Sequence, residues 1–403
     1  MSRAVARIRT SLLTTATAVT AALALAAPAV AAPAPLAPTP AASASPAGNP
    51  TRSAIDALVN TGGMPGVAAQ TVDTSQGYAR GWFGSAGVAD TSTGRARTPQ
   101  DHLRAGSITK TFVTVVLLQM EAEGKLSLDD TVERWLPGVV QGNGNDGSKM
   151  TVRQLLNHTS GIKDMVSTPE WHAYMNGPGF LDHRFETRTP RQIVDMALKY
   201  RPDFAPGTGW NYSNTNFVLA GMIIQKVDGK SYAAEAERRI IKRLGLTRTS
   251  FPGTNPKMPL PHAVGYSKLY ATNPGPEVYD ATEYNPAWSG ATGEIISTTR
   301  DLNTFYSALL KGRLLPAAQQ SELLTTVKTG TFFDYGLGLI VRPLSCGVKV
   351  YGHDGIVWGS LTSTATTADG KHTLTFHING DWLEDQHLGL YQDVFEAEFC
   401  GKK

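Results

Sequence analysis

The stretch from Ile108 to Glu123 is apolar on every face of the helix that its pattern predicts. Its large apolar residues are Phe112, Val113, Val115, Val116, Leu117, Leu118 and Met120. A helix without a polar face cannot lie on a surface, so other elements of the same domain have to surround it. Gly124 follows in the position where α-helices commonly end. The sequence therefore predicts a fold built around one central, buried helix.

Ser107 and Lys110 stand at the start of this helix in the pattern S-x-x-K. The spacing places a hydroxyl and an amine on one helix face, about one turn from each other. An adjacent amine can activate a serine as a nucleophile, and the N–H groups at a helix start can stabilise a developing anion. The same letters also occur at ordinary helix starts with a solvated lysine. Two elements farther along the chain favour the catalytic interpretation.

The second element is Tyr212-Ser213-Asn214. Tyr212 and Asn214 lie on either side of Ser213, so in an extended loop their side chains point the same way. The alternative is a simple turn before a helix, because serine and asparagine are both good helix caps.

Near the C-terminus, two triplets are candidates for a third element of the same site. Residues 328–330 read K-T-G and residues 353–355 read H-D-G. The second triplet follows an alternating, strand-like run and precedes two further predicted strands. The first lies between a predicted helix and a turn-like segment, which indicates a surface turn. We therefore predict that residues 353–355 form the third element, although a histidine there could also be an ordinary core residue.

Predicted strands and helices divide the chain into parts. Residues 51–125 and 286–403 contain the strand-like segments, whereas residues 126–285 are mainly helical with Pro- and Gly-rich loops. An antiparallel sheet built from both ends of the chain, with a helical insertion between them, is the simplest assembly. We expect an α/β fold, in which an antiparallel sheet flanked by helices is joined to a mostly helical domain.

The first fifty residues predict export. Basic residues precede a short apolar run, and residues 29–31 read A-V-A, which fits a signal-peptide cleavage site. We expect a signal peptide over residues 1–31 and an Ala- and Pro-rich linker or pro-segment over residues 32–50. A transmembrane anchor is the alternative, but the apolar run is short and rich in Ala and Thr. The prediction is a secreted protein without stable membrane insertion.

Composition limits the partners of the chain. The formal net charge is +3, and the basic residues form no cluster, so nucleic acid is not an expected partner. No zinc-type cysteine cluster or H-E-x-x-H pattern is present, so we expect no metal and no cofactor. Cys346 and Cys400, an even number in an exported protein, predict a disulfide. A catalytic thiol is the alternative, and it lacks supporting motifs. We expect a monomer.

The three elements in this order resemble the active-site set of serine β-lactamases and penicillin-binding proteins. Over essentially the whole mature chain, the sequence is similar to the Streptomyces-type serine D-alanyl-D-alanine carboxypeptidases of this family. The placement of both cysteines also matches. The segments that carry the similarity are Leu103–Leu118, Tyr212–Gly221, Trp288–Leu302 and Tyr335–Gly355.

This resemblance implies a role for each site residue. Ser107 is the nucleophile, Lys110 and Tyr212 transfer its proton, and the N–H groups of Ser107 and Ile356 form the oxyanion hole. Within the cleft, Asn214 contacts the substrate carbonyl and Trp288 lines the wall. A further histidine, His158, is expected to be structural. The implied substrate-binding residues are Asn214, Trp288, Ile340, His353, Asp354, Gly355 and Ile356.

Three positions depart from the carboxypeptidase pattern. Where those enzymes have two threonines and an arginine for the substrate carboxylate, this chain has Asp354, Ile356 and Ile340. Two carboxylates about 4 Å apart repel by roughly 4 kcal/mol at an effective dielectric near 20. That repulsion corresponds to about three orders of magnitude in rate. Arg342 could restore carboxylate binding, because on a strand it faces the same way as Ile340.

The departures predict a D-stereospecific amidohydrolase or peptidase rather than a carboxypeptidase. Such an enzyme forms an acyl-enzyme on D-amino-acid amides, esters or peptides with an uncharged leaving group, as D-amino-acid amidases and D-aminopeptidases of this family do. Asp354 could attract an amine acceptor, so that aminolysis competes with hydrolysis. The alternatives are a D-alanyl-D-alanine carboxypeptidase, a class C β-lactamase, a lipase-like esterase, and a penicillin-binding sensor that is acylated without turnover.

Overall fold

The structure is a computed structural model that describes residues 49–271, 275–383 and 387–401. The predicted signal peptide, residues 1–31, and nearly all of the predicted linker, residues 32–50, lie outside the described residues. Within the described ranges, no helix combines the length and the apolar character that a membrane crossing requires.

The strands come mainly from the two ends of the chain. They are β1 (Gly66–Asp73), β2 (Arg80–Gly87), β3 (Leu103–Arg104), β4 (Gln141–Gly142), β5 (Asn145–Asp146), β6 (Tyr266–Ser267), β7 (Tyr279–Asp280), β8 (Ile296–Ser297), β9 (Val327–Lys328), β10 (Asp334–Tyr335), β11 (Ile340–Pro343), β12 (Lys349–Gly352), β13 (Asp354–Val357), β14 (Ser360–Thr367) and β15 (His372–Ile378). Nine of them form one antiparallel sheet in the order β2-β1-β15-β14-β12-β11-β10-β9, with β13 also paired to β14. The predicted α/β fold with an antiparallel sheet is confirmed.

Helices cover both faces of this sheet. They are α1 (Pro50–Asn60), α2 (Thr109–Ala122), α3 (Val132–Trp135), α4 (Val152–Leu156), α5 (Pro169–Met175), α6 (Pro178–His183), α7 (Pro190–Leu198), α8 (Asn214–Asp228), α9 (Tyr232–Ala236), α10 (Lys242–Leu244), α11 (Thr299–Leu310), α12 (Ala317–Leu324) and α13 (Leu388–Cys400). On β15, Phe376 packs against Phe395 of α13, and the next residue back, Thr375, donates to Asn303 of α11. Because neighbouring strand residues point to opposite faces, α13 and α11 lie on opposite sides of the sheet.

The central helix α2 is buried from Thr109 to Met120, as its composition predicts. Phe112 stacks on Phe305 of α11 with ring centroids 3.8 Å apart. A polar residue of the helix also finds a partner inside the protein, since the Thr111 hydroxyl donates to the Gly338 carbonyl oxygen at 2.7 Å. A rigid, fully packed helix therefore carries Lys110 in its first turn.

A disulfide between Cys346 and Cys400 joins the β11–β12 turn to the end of α13. The predicted pairing is therefore present in the fold. The described residues belong to one compact unit, so the predicted domain boundaries near residues 125 and 285 stay predictions.

We expect Phe112→Ala to lower the free energy of unfolding by about 3–5 kcal/mol, because it leaves a cavity beside Phe305. Phe332→Ala is the matched control, since Phe332 is 63 % exposed, and its effect should stay within about 0.5 kcal/mol. Urea unfolding followed by circular dichroism measures both. Equal effects of the two substitutions would contradict the central position of α2.

Candidate active site

Two glycines allow β13 to pass directly beside Ser107, which lies in the short 3-10 turn before α2. Gly106 has a φ of +54°, a left-handed conformation that favours glycine, and a Cβ there would lie 2.8 Å from the Ile356 nitrogen. A Cβ on Gly355 would lie 2.9 Å from the Ser107 nitrogen. The backbone nitrogens predicted to form the oxyanion hole therefore belong to adjoining backbones at this contact.

Lys110 Nζ is buried among three hydrogen-bond acceptors. It donates to Ser107 Oγ at 2.8 Å, to Asn214 Oδ1 at 2.8 Å and to the Thr292 carbonyl oxygen at 2.9 Å. Burial disfavours the ammonium form and lowers the pKa of Lys110 to about 7, although the negative charge of Asp164 opposes this change. A substantial fraction of Lys110 is therefore neutral near pH 7.

The acceptors decide where a neutral Lys110 points its lone pair. A neutral amine has two N–H groups, and the oxygens of Asn214 and Thr292 can only accept hydrogen bonds. Those oxygens therefore use both N–H groups, and the lone pair remains for the third partner, the Ser107 hydroxyl. This arrangement can remove a proton from the serine.

Asp164 fixes the orientation of the Asn214 amide. The Asn214 backbone nitrogen donates to Asp164 Oδ1 at 2.9 Å, and Nδ2 donates to Oδ2 at 3.1 Å. Because Nδ2 of Asn214 faces the Asp164 carboxylate, Oδ1 of Asn214 is turned toward Lys110. Burial raises the pKa of Asp164 to about 6. The sequence reasoning missed this residue, although it follows the L-N-H-T-S-G stretch at residues 156–161 by three positions.

Tyr212 completes the group around Ser107. Its hydroxyl hydrogen-bonds to Ser107, and Lys110 Nζ lies 5.0 Å from the centre of its ring. Burial raises the pKa of Tyr212 well above its usual value, so the phenol keeps its proton at neutral pH. The structure thus brings together Ser107, Lys110 and Tyr212, the three residues predicted to be catalytic.

His353 lies deeper than a substrate-binding residue would. It is buried, its Nε2 is 2.7 Å from the Tyr335 hydroxyl, and its Nδ1 is 2.6 Å from the Asp354 carbonyl oxygen. Burial and the nearby Lys110 charge lower the pKa of His353 to about 4, so the imidazole is neutral. The competing residue Lys328 is 87 % exposed and pairs with Asp334 at 2.8 Å on the β9–β10 hairpin.

Asp354 and Arg342 form an ion pair, with Oδ2 and Nη2 2.7 Å apart. The Arg342 side chain is 2 % exposed and lies over the Phe395 ring at 4.2 Å, whereas Asp354 is 23 % exposed. Asp354 is therefore the more accessible member of the pair, although its Oδ1 atom is buried. Ile340 is buried on β11, and Ile356 is 52 % exposed on β13.

The prediction that Trp288 lines the cleft is wrong, because its indole is fully buried. Its ring contacts Trp171 edge-on, with centroids 5.8 Å apart, and lies 5.9 Å from the ring of Tyr174. The short 3-10 turn Pro286–Trp288 directs the side chain into this aromatic part of the core. An indole with no accessible surface can support the site only through packing.

Comparison with known proteins identifies relatives of this chain. The family model described as Beta-lactamase matches residues 51–394. A penicillin-binding protein of Bacillus subtilis (strain 168) is 28% identical over 311 residues, which are 73% of this chain and 64% of that protein. Penicillin-binding protein 4 of Amycolatopsis lactamdurans is 25% identical over 79% of this chain and 82% of its own length. The chain thus spans less than two thirds of the first of these curated relatives.

Solved structures share the whole architecture. A D-stereospecific amidohydrolase from Streptomyces sp. is 50% identical, with a TM-score of 0.81, over 89% of this chain and 100% of that chain. The D-amino acid amidase from Ochrobactrum anthropi SV3, complexed with L-phenylalanine amide, is 28% identical with a TM-score of 0.73 and covers 88% of this chain and 99% of its own. With the family model matching most of its length, the chain belongs to the Beta-lactamase family.

Proposed function

We propose that this protein is a D-stereospecific serine amidohydrolase that forms an acyl-enzyme through Ser107. Its substrates would be amides, esters or peptides of D-amino acids. The observation that carries the proposal is the environment of Lys110, whose two carbonyl acceptors leave its lone pair for Ser107. The similarity to a D-stereospecific amidohydrolase over the whole of that chain supports the substrate class.

The mechanism follows from the position of each group. Neutral Lys110 takes the Ser107 proton as Oγ attacks the substrate carbonyl carbon. The N–H groups of Ser107 and Ile356 stabilise the negative charge on the carbonyl oxygen. The proton then passes through Tyr212 to the leaving nitrogen, and the C–N bond breaks. In the second half of the reaction water or an amine attacks the acyl-enzyme and Lys110 again accepts the proton. The ester bond to Ser107 Oγ then breaks, and Lys110 returns the proton to that oxygen.

The Asp354–Arg342 pair supports the proposed choice of leaving group. Arg342 is the alternative for binding a substrate carboxylate, but its guanidinium is already paired and almost fully buried. A leaving group that carries a carboxylate would lie beside the like-charged Asp354 and would find Arg342 already paired. An uncharged amide or an amine avoids this repulsion, so aminolysis can compete with hydrolysis. The carboxypeptidase and β-lactamase alternatives are disfavoured for the same reason.

We also propose that the protein is exported. The disulfide between Cys346 and Cys400 supports an oxidising compartment, where such bonds persist. The predicted signal peptide is consistent with this proposal on the basis of its sequence alone. The monomeric state stays a prediction.

Lys110→Arg should lower kcat/KM for D-phenylalanine amide by about 100-fold or more, because a guanidinium does not lose its proton and cannot act as the base. For the wild-type protein, acidification through pH 7 protonates Lys110, so kcat/KM should fall about tenfold per pH unit below that value. The matched control is Lys328→Arg in the K-T-G triplet, which should leave the rate and the pH profile unchanged. A rate that persists in Lys110→Arg would contradict the assigned base.

The leaving-group proposal is tested with D- and L-phenylalanine amides beside an acyl-D-Ala-D-Ala peptide. The wild-type protein should cleave the D-amide at least tenfold faster than either of the others. Asp354→Asn should raise D-alanine release about tenfold or more, because it removes a like charge and leaves Arg342 unpaired, and should change D-amide cleavage much less. Amino-acid analysis of the products measures each rate. Faster release of D-alanine than D-amide cleavage by the wild-type protein would identify a carboxypeptidase instead.

A further inference from the structure

Three buried side chains form a continuous hydrogen-bonded row behind the active site. His158 Nε2 is 3.3 Å from the Tyr335 hydroxyl, and the same hydroxyl is 2.7 Å from His353 Nε2. Tyr335 has no exposed surface, and it lies on β10, while His158 follows α4 and His353 follows β12. One phenol therefore connects two imidazoles that come from distant parts of the chain.

Backbone groups at the two ends fix the direction of every hydrogen bond in this row. At one end the Ser213 N–H, which can only donate, points to His158 Nδ1 at 3.1 Å. His158 therefore carries its proton on Nε2 and donates to the oxygen of Tyr335. At the other end the Asp354 carbonyl oxygen, which can only accept, meets His353 Nδ1. His353 thus carries its proton on Nδ1, and Tyr335 donates its hydroxyl proton to His353 Nε2.

We propose that Tyr335 is a positioning residue, which holds both histidines in single neutral tautomers and thereby holds the loop that carries Tyr212. This inference rests on the proposed function for its kinetic consequence, but the tautomers follow from the hydrogen bonds alone. The hydroxyl of Tyr335 contacts the two histidines and not the reacting atom, Ser107 Oγ. It acts through His158 and His353.

The link from the row to Tyr212 is direct. The His158 ring lies against the Tyr212 ring with centroids 4.2 Å apart, and His158 Nδ1 accepts the N–H of the next residue, Ser213. The Asn216 amide donates to the same Nδ1 at 3.1 Å. A rotated or protonated His158 would lose both acceptor contacts and would shift the loop. Tyr335 prevents this by accepting the only proton that His158 can donate.

The row also keeps a second positive charge away from Lys110. Protonation of His353 would place an N–H opposite the Tyr335 O–H, so the hydroxyl would have to turn away from His353 and its proton would lose its acceptor. The titratable and charged groups around His353 are Lys110, His158, Tyr212, Tyr335, Arg342 and Asp354. Without the Tyr335 hydroxyl, the neutral form of His353 loses a hydrogen bond, so His353 should bind a proton at higher pH.

Nitrogen NMR of histidine-labelled protein, with His158 and His353 assigned from single variants, tests the assignment without any substrate. In the wild-type protein we expect His158 only as the Nε2–H tautomer and His353 only as the Nδ1–H tautomer, with His353 titrating near pH 4. In Tyr335→Phe, His353 should titrate up to about one pH unit higher, since the loss of one neutral hydrogen bond has that size. Opposite tautomers in the wild-type protein would overturn the proposal even if the variant does not fold.

Kinetics provide the second readout. Tyr335→Phe should lower kcat for D-phenylalanine amide about tenfold with KM changed less than twofold. Acylation by p-nitrophenyl acetate should fall by a similar factor, which separates a failure of this inference from an error in the proposed substrate. The matched control is Tyr306→Phe, because Tyr306 is also fully buried and its hydroxyl contacts Thr111 of α2 at 2.9 Å. Equal kinetics and equal His353 titration in the two variants would overturn the positioning role.

Discussion

The burial of the Lys110 amine is the constraint on which the rest of the site depends. An unpaired ammonium is costly inside a protein, so the turn before α2, the start of α8 and the turn at Thr292 have to supply oxygen acceptors around Nζ. The same burial brings the pKa of Lys110 to about 7, where a lysine can act as a base. The negative charge of Asp164 raises the pKa of Lys110 and so opposes the effect of burial. Asp164 also orients the Asn214 amide. The central helix and the proton chemistry are therefore consequences of one packing arrangement.

A close approach of two backbones positions the second half of the site. Because Gly106 and Gly355 have no side chains, β13 can run beside Ser107, and this contact places the nitrogens of Ser107 and Ile356 on adjoining segments. Asp354, the residue before Gly355, pairs with Arg342 and keeps part of its side chain accessible. Under the proposed function, a small change of side chains on β11 and β13 would give the same scaffold a different preference for the leaving group.

Much of this arrangement could be predicted from the sequence, for reasons that are local. The helix after Ser107 is apolar all round, and strand-like segments occur at both ends of the chain, so α2 and the antiparallel sheet were predictable. Asp164, Tyr335 and the Thr292 carbonyl were missed, because each meets its partner through tertiary packing and not through spacing along the chain. Trp288 was wrongly expected in the cleft, since a sequence does not show which side of a turn an indole faces. Arg342 was placed on the correct strand, but its ion pair crosses to β13.

The central claim is that Lys110 is substantially neutral at the pH where the enzyme works. Carbon and nitrogen NMR of labelled lysine, with the Lys110 signal identified by its loss in Lys110→Arg, measures this directly. We expect a titration midpoint near 7 in the wild-type protein. In Asp164→Asn the midpoint should be lower, because the carboxylate that favours the ammonium form is gone. A midpoint above 9 in the wild-type protein would contradict the account, because the amine would then be an ammonium with no lone pair for Ser107.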